Sequence, residues 1–117
     1  MIAVIFELWP RAGAQQRYFD TAATLVDSLK QVDGFISVER FESVSEPGKF
    51  LSLSFWRDEA SVKQWRTQAM HRNAQKLGRD AVFANYRLRV SQVIRDYGMQ
   101  ERSEAPDDSN QVLGAAI

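Results

Sequence analysis

The chain has no cysteine, a single histidine and no net charge. Without cysteine there is no disulfide framework, no thiolate zinc site, no iron–sulfur cluster and no thiol nucleophile. With His71 alone, a metal site needing two or three imidazoles is also excluded. Fifteen basic side chains balance fifteen acidic ones and the pI is near 6.6, which argues against a general nucleic-acid or membrane-surface binder. Long hydrophobic runs are missing too. The apolar stretch Ile2 to Trp9 is far too short to span a bilayer and lacks the basic flank and cleavage site of a signal peptide. The expectation is a cytoplasmic protein that engages neither membrane nor nucleic acid.

What is present suits one domain. At 117 residues the chain falls where domains cluster, and such a chain buries about two-thirds of its unfolded surface without a staple. The domain is expected over residues 1–98, with residues 99–117 as an extension, mobile or draped on a partner. From Glu101 onward there are four acidic side chains, one basic and no aromatic, and Val112-Leu113 is left to dock on that partner.

Hydrophobic periodicity gives the elements. Residues 2–9 read as a strand apolar on both faces, closed by Pro10. Tyr18, Phe19, Ala22, Val26 and Leu29 recur at helical spacing, so 14–32 forms an amphipathic helix that Asp33-Gly34 ends, with Gly34 in the left-handed conformation. Strands follow over 35–43, with Phe35, Ser37, Glu39 and Phe41 on one face, and over 49–56. Ser45-Glu46-Pro47-Gly48 turns between them. Asp58 caps a second helix whose buried face is Val62, Trp65, Ala69, Met70, Ala74 and Leu77, and Gly78 ends it. A short helical turn over 80–83 and a long last strand over 86–97 complete the domain. The order β-α-β-β-α-β is α+β and ferredoxin-like, a four-stranded antiparallel sheet with both helices on one face.

Two helices leave the other face of that sheet bare. The first strand is apolar on both sides, and the third sets Leu51, Leu53 and Phe55 opposite Phe50 and Trp56. A monomer would expose more apolar surface than soluble monomers usually carry. A homodimer through the sheet face is the simplest remedy. Glu7 lies within this apolar setting, where an unpaired charge is costly, and Arg40, Arg87 or Arg89 is its expected partner.

Over about residues 1–98 the sequence resembles the antibiotic biosynthesis monooxygenase family of dimeric α+β-barrel proteins. The resemblance rests on the element order, on Val32-Asp33-Gly34-Phe35, and on Leu53-Ser54-Phe55-Trp56-Arg57-Asp58-Glu59-Ala60. It continues through the helical segment Trp65 to His71-Arg72 and the strand Tyr86-Arg87-Leu88-Arg89-Val90. It implies oxidation of a small aromatic or polyketide-type substrate, hydroquinone- or anthrone-like, by O₂ without metal or flavin. Relatives that form quinones carry an Asn, a Trp and a Tyr where this chain has Ser52, Trp56 and Val62. Relatives that degrade haem carry an Asn, a Trp and an iron-ligating His where it has Phe6 or Glu7, Trp65 and Gln75. Haem is therefore the alternative cofactor, and no cofactor is the expectation.

The candidate site follows from these correspondences and from side-chain chemistry. His71 is the one side chain that titrates near neutral pH, which suits a general base. Ser52 would bond a substrate oxygen, Trp56 and Trp65 would wall the pocket, and Phe6 and Tyr86 would bind the small aromatic ligand. Arg72, Lys76 and Arg79 read as a solvated helix face. A non-catalytic dimeric binding or stress protein of the same fold stands as the alternative. A polar cavity reached by His71 favours the enzyme, and a cavity filled by Phe and Leu favours the binder.

Overall fold

The computed structural model describes residues 1–113, without the side chains of Ala69, Met70 and Asp80. The expected contributions of Ala69 and Met70 to the core thus lie outside the described residues. The elements are β1 (Ile2–Pro10), α1 (Gln15–Lys30), β2 (Phe35–Glu42), β3 (Phe50–Trp56), α2 (Glu59–Arg66), α3 (Ala69–Leu77), a π-helical turn (Gly78–Val82), β4 (Phe83–Gln92) and α4 (Asp107–Leu113). The strands form one antiparallel sheet in the order β2-β3-β1-β4. This is the ferredoxin-like α+β arrangement, with the second helix in two pieces.

Register sorts the helix-side face into four cross-strand rows. The end rows are Ile2–Trp56–Gln92 and Leu8–Phe50–Tyr86. Trp56 and Ile2 pack with Leu29, Val32, Val62 and Trp65 at one end, and Leu8 and Phe50 with Tyr18 and Val82 at the other. The middle rows are Val38–Ser54–Val4–Val90 and Arg40–Ser52–Phe6–Leu88. Two serines therefore stand at the centre of β3, where flanking positions hold Phe50 and Trp56, and the missing volume opens a gap between the two cores.

The two fragments that carried the resemblance are one clasp in space. Gly34 has φ +92°, and a Cβ there would lie 2.0 Å from Ser61 Oγ. Its carbonyl accepts from Arg57 N–H at 2.7 Å, the Arg57 guanidinium forks onto Asp33 with both bonds at 3.2 Å, and Phe35 meets Trp56 edge-to-face at 5.3 Å. Asp58 caps α2 by accepting from Ser61 N–H at 2.9 Å and Ser61 Oγ–H at 2.7 Å. These bonds hold its carboxyl down at about 2.

Four expectations need correction. The second helix breaks at Thr67-Gln68: Thr67 Oγ donates back to Lys63 O at 2.8 Å, and Gln68 turns extended at ψ 140°. Gly78 caps α3 after Leu77, as expected. It is helical and buried, and a Cβ there would lie 2.6 Å from the Phe83 ring, so it is a close-approach glycine. The expected turn over 80–83 is the π-helical turn Gly78–Val82, and Phe83 already belongs to β4. β4 then stops at Gln92 rather than 97, because its partner β1 runs out: Val93 N–H makes the last rung, to Met1 O at 2.9 Å. In β2 a register shift between Phe35 and Ser37 puts Phe35 on the helix side, away from Ser37, Glu39 and Phe41.

On the open face Glu7 is bridged by Lys49 at 2.7 Å and by Arg89. Their hydrogen bonds, Lys49's foremost, lower its pKa. Arg89 was among its expected partners and Lys49 was not; Arg40 lies on the other face. Beyond β4, Arg102 stacks on Tyr97 at 5.1 Å and donates to Gly98 O and Asn110 Oδ1, both at 3.1 Å. Val112 and Leu113, at the end of α4, stay exposed.

Candidate active site

The gap between the two cores is a cavity of about 710 Å³ floored by the middle rows and walled by α1, α2 and α3. All six residues expected at the site line it: Phe6, Ser52, Trp56, Trp65, His71 and Tyr86. Leu88 and Val90 also line it and are exposed, so the cavity meets solvent along β4.

His71 is set by the helix break. Its ring stacks on Trp65, with centroids 4.6 Å apart and planes 20° off parallel, and its Nδ1 lies 3.2 Å from Trp65 O. A carbonyl only accepts, so Nδ1 carries the proton and Nε2 is the basic nitrogen. Burial is the main influence on its pKa and lowers it from the ordinary 6.5, which keeps the imidazole neutral at physiological pH.

The two tryptophans differ in role. Trp56 is 2% exposed, and its indole N–H is spent on Ser54 Oγ at 2.9 Å, so it is core that also presents a surface to the cavity. Phe6 meets Phe83 at 5.6 Å and Tyr86 at 5.7 Å, both edge-on. The Tyr86 hydroxyl accepts from Arg79 at 2.9 Å. Arg72, Lys76 and Arg79 are exposed as expected, yet they also form part of the cavity wall, so they are more than a solvated face.

Sequence reasoning missed Arg40, Tyr18 and Ser54. Ser54 shares strand parity with Ser52 and Trp56, which was a sufficient signal. Arg40 shares parity with Val38, but only the β2–β3 register puts it beside Ser52. Tyr18 is buried, which raises its pKa, while Arg40 partly offsets the rise; the hydroxyl is protonated and able to donate. Among the described residues, no group of His, Asp or Glu could hold a metal ion. Gln75, which stands where the haem-degrading relatives carry their iron-ligating histidine, lies on the cavity wall one helical turn from His71.

The sequence profile of the antibiotic biosynthesis monooxygenase family matches residues 1–77. The chain belongs to that family. It is 50% identical over 122 residues to the jasmonate monooxygenase ABM of Pyricularia oryzae, an alignment covering 99% of this chain and 57% of the relative. This family member thus spans little more than half the length of that enzyme. It is 28% identical over 86 residues to YqjZ of Bacillus subtilis, covering 74% of each. Rv0793 from Mycobacterium tuberculosis has the same fold, with a TM-score of 0.74 at 16% identity over 83% of this chain and 98% of that one. No described helix is long and apolar enough to cross a membrane.

Proposed function

We propose that this chain is a cofactor-independent monooxygenase that oxidises a small, largely apolar molecule in the cavity, with His71 as general base. The observation that carries the reading is an imidazole tied at Nδ1 to a carbonyl on the wall of a chamber floored by apolar and aromatic side chains. Nε2 takes a proton from an acidic C–H or phenol of the substrate. The resulting carbanion or phenolate gives its electrons to O₂, and protonation yields a carbon hydroperoxide. Loss of water from a CH(OOH) centre leaves C=O, so the net change is CH₂ plus O₂ to C=O plus H₂O, with no outside reductant. Ser52 Oγ, which makes no side-chain hydrogen bond among the described residues, is available to hold the substrate oxygen.

Hydroquinones and anthrones suit this chemistry, and the name of the Pyricularia relative adds jasmonate to the candidates. The test is O₂ uptake by metal-free protein with each of them. Uptake above the spontaneous rate, with one oxygen atom in the product, is expected; rates identical with and without protein overturn the reading. A binding-only role draws support from Val62 and from the engaged Trp56 N–H, which leave an oxyanion fewer donors. It would show as ligand binding without O₂ uptake.

A second copy of the chain is proposed on the open face of the sheet. Ile5, Leu51, Leu53 and Phe55 lie there half-exposed beside exposed Phe41, an apolar row that a two-fold partner would cover. Light scattering is expected to give twice 13.4 kDa, and a mass of one chain at micromolar concentration overturns it.

A further inference from the structure

We propose that the cavity selects a carboxylate-bearing substrate and that Arg40 is its fixed counter-charge. This rests on the cavity being the substrate site and goes further, to the substrate's charge and the residue that reads it.

Three observations converge on Arg40. Its Nε is buried with no hydrogen-bond partner, and a buried charged donor left unpaired is costly enough to need a reason. Its strand register places it beside Ser52, in the central row of the cavity floor. Among the described residues it has no carboxylate partner, although ion pairs form elsewhere in the chain.

The charge pattern of the whole cavity points the same way. The charged residues described on its walls are Arg40, Arg66, Arg72, Lys76 and Arg79, all cationic. Acids and bases are equal in number over the chain, so this is segregation, not composition. Arg72, Lys76 and Arg79 are exposed and would draw an anion inward. Arg40 would then hold it, because a guanidinium fork matches a carboxylate in two parallel bonds. Ser52 adds a neutral donor beside it, and the Tyr18 oxygen, which accepts from the guanidinium, can still donate its own proton to the ligand. The remaining wall is aromatic and aliphatic, so the ligand is an apolar body with one acidic end.

The test compares acid with neutral ester at one scaffold: jasmonate against methyl jasmonate, and 1-naphthoate against methyl 1-naphthoate, each titrated by calorimetry. The wild-type protein is expected to bind each acid about tenfold to hundredfold more tightly than its ester, the span of a charged hydrogen bond. Arg40→Gln should remove that preference, and a circular dichroism spectrum like that of the wild type shows that the variant is folded. Arg40→Lys should restore part of it. Equal binding of acid and ester, or a preference that survives Arg40→Gln and disappears in Arg72→Gln/Lys76→Gln, overturns the role of Arg40 but leaves the cavity as the binding site. If neither acid nor ester of either pair binds, and Ser52→Trp gives the same flat titration, the cavity is not the site and both proposals fall.

Discussion

Replacing His71 by alanine is expected to lower turnover by about 10²- to 10⁴-fold, the usual contribution of a positioned general base. The wild-type rate should fall on the acid side, where the imidazole takes up a proton. Because burial lowers the His71 pKa below 6.5, the midpoint of that fall lies below 6.5 and the profile is flat through neutrality. In His71→Ala this acid limb should vanish with the rate. An unchanged limb in the variant, read from kcat/KM against pH, would assign the base elsewhere. The same shift acts on stability. A depressed folded pKa means that the unfolded chain binds the proton first, so His71's contribution is complete above 6.5 and is lost as pH falls through the folded value.

Trp56→Ala is expected to cost about 3–5 kcal/mol, the range for deleting a large buried aromatic. Against a typical total of about 5–15 kcal/mol this is severe. Ser54→Ala, which strands the buried indole N–H, should cost about 1–3 kcal/mol. Trp56→Phe keeps most of the ring and should fall between wild type and Trp56→Ala. Urea unfolding monitored by circular dichroism checks the order. A Trp56→Ala protein with a wild-type midpoint would show that this side chain serves the cavity alone and not the core.

Much of this was legible because it is local chemistry. Asp58 as a cap, Gly34 beyond a helix and the shared parity of Ser52 and Trp56 depend on a few neighbouring residues. What was not legible depends on distant strands. Strand parity alone cannot say which face of β2 matches which face of β1, so Arg40 stood with Arg87 and Arg89 as a partner open to Glu7, when register sets it beside Ser52. The residue extruded at Ile36 reverses Phe35, and the length of β4 is decided by where β1 begins. The break after α2 is invisible for another reason. Apolar spacing continues from Trp65 into α3, and a threonine that bonds its own helix looks like any helical threonine until the next residue turns away.

The rows of the sheet divide labour along each strand. Fold stability is concentrated at the ends, in Trp56 with Ile2 and in Phe50 with Leu8, while the chamber is shaped in between by Ser52, Ser54, Val4 and Phe6. A larger or smaller side chain at Ser52 changes chamber depth without disturbing either anchoring cluster, whereas Ser54 is tied to Trp56. Such a scaffold is evolvable: a lineage could trade one substrate for another by point changes at the middle of β3, each tried against a frame that stays folded.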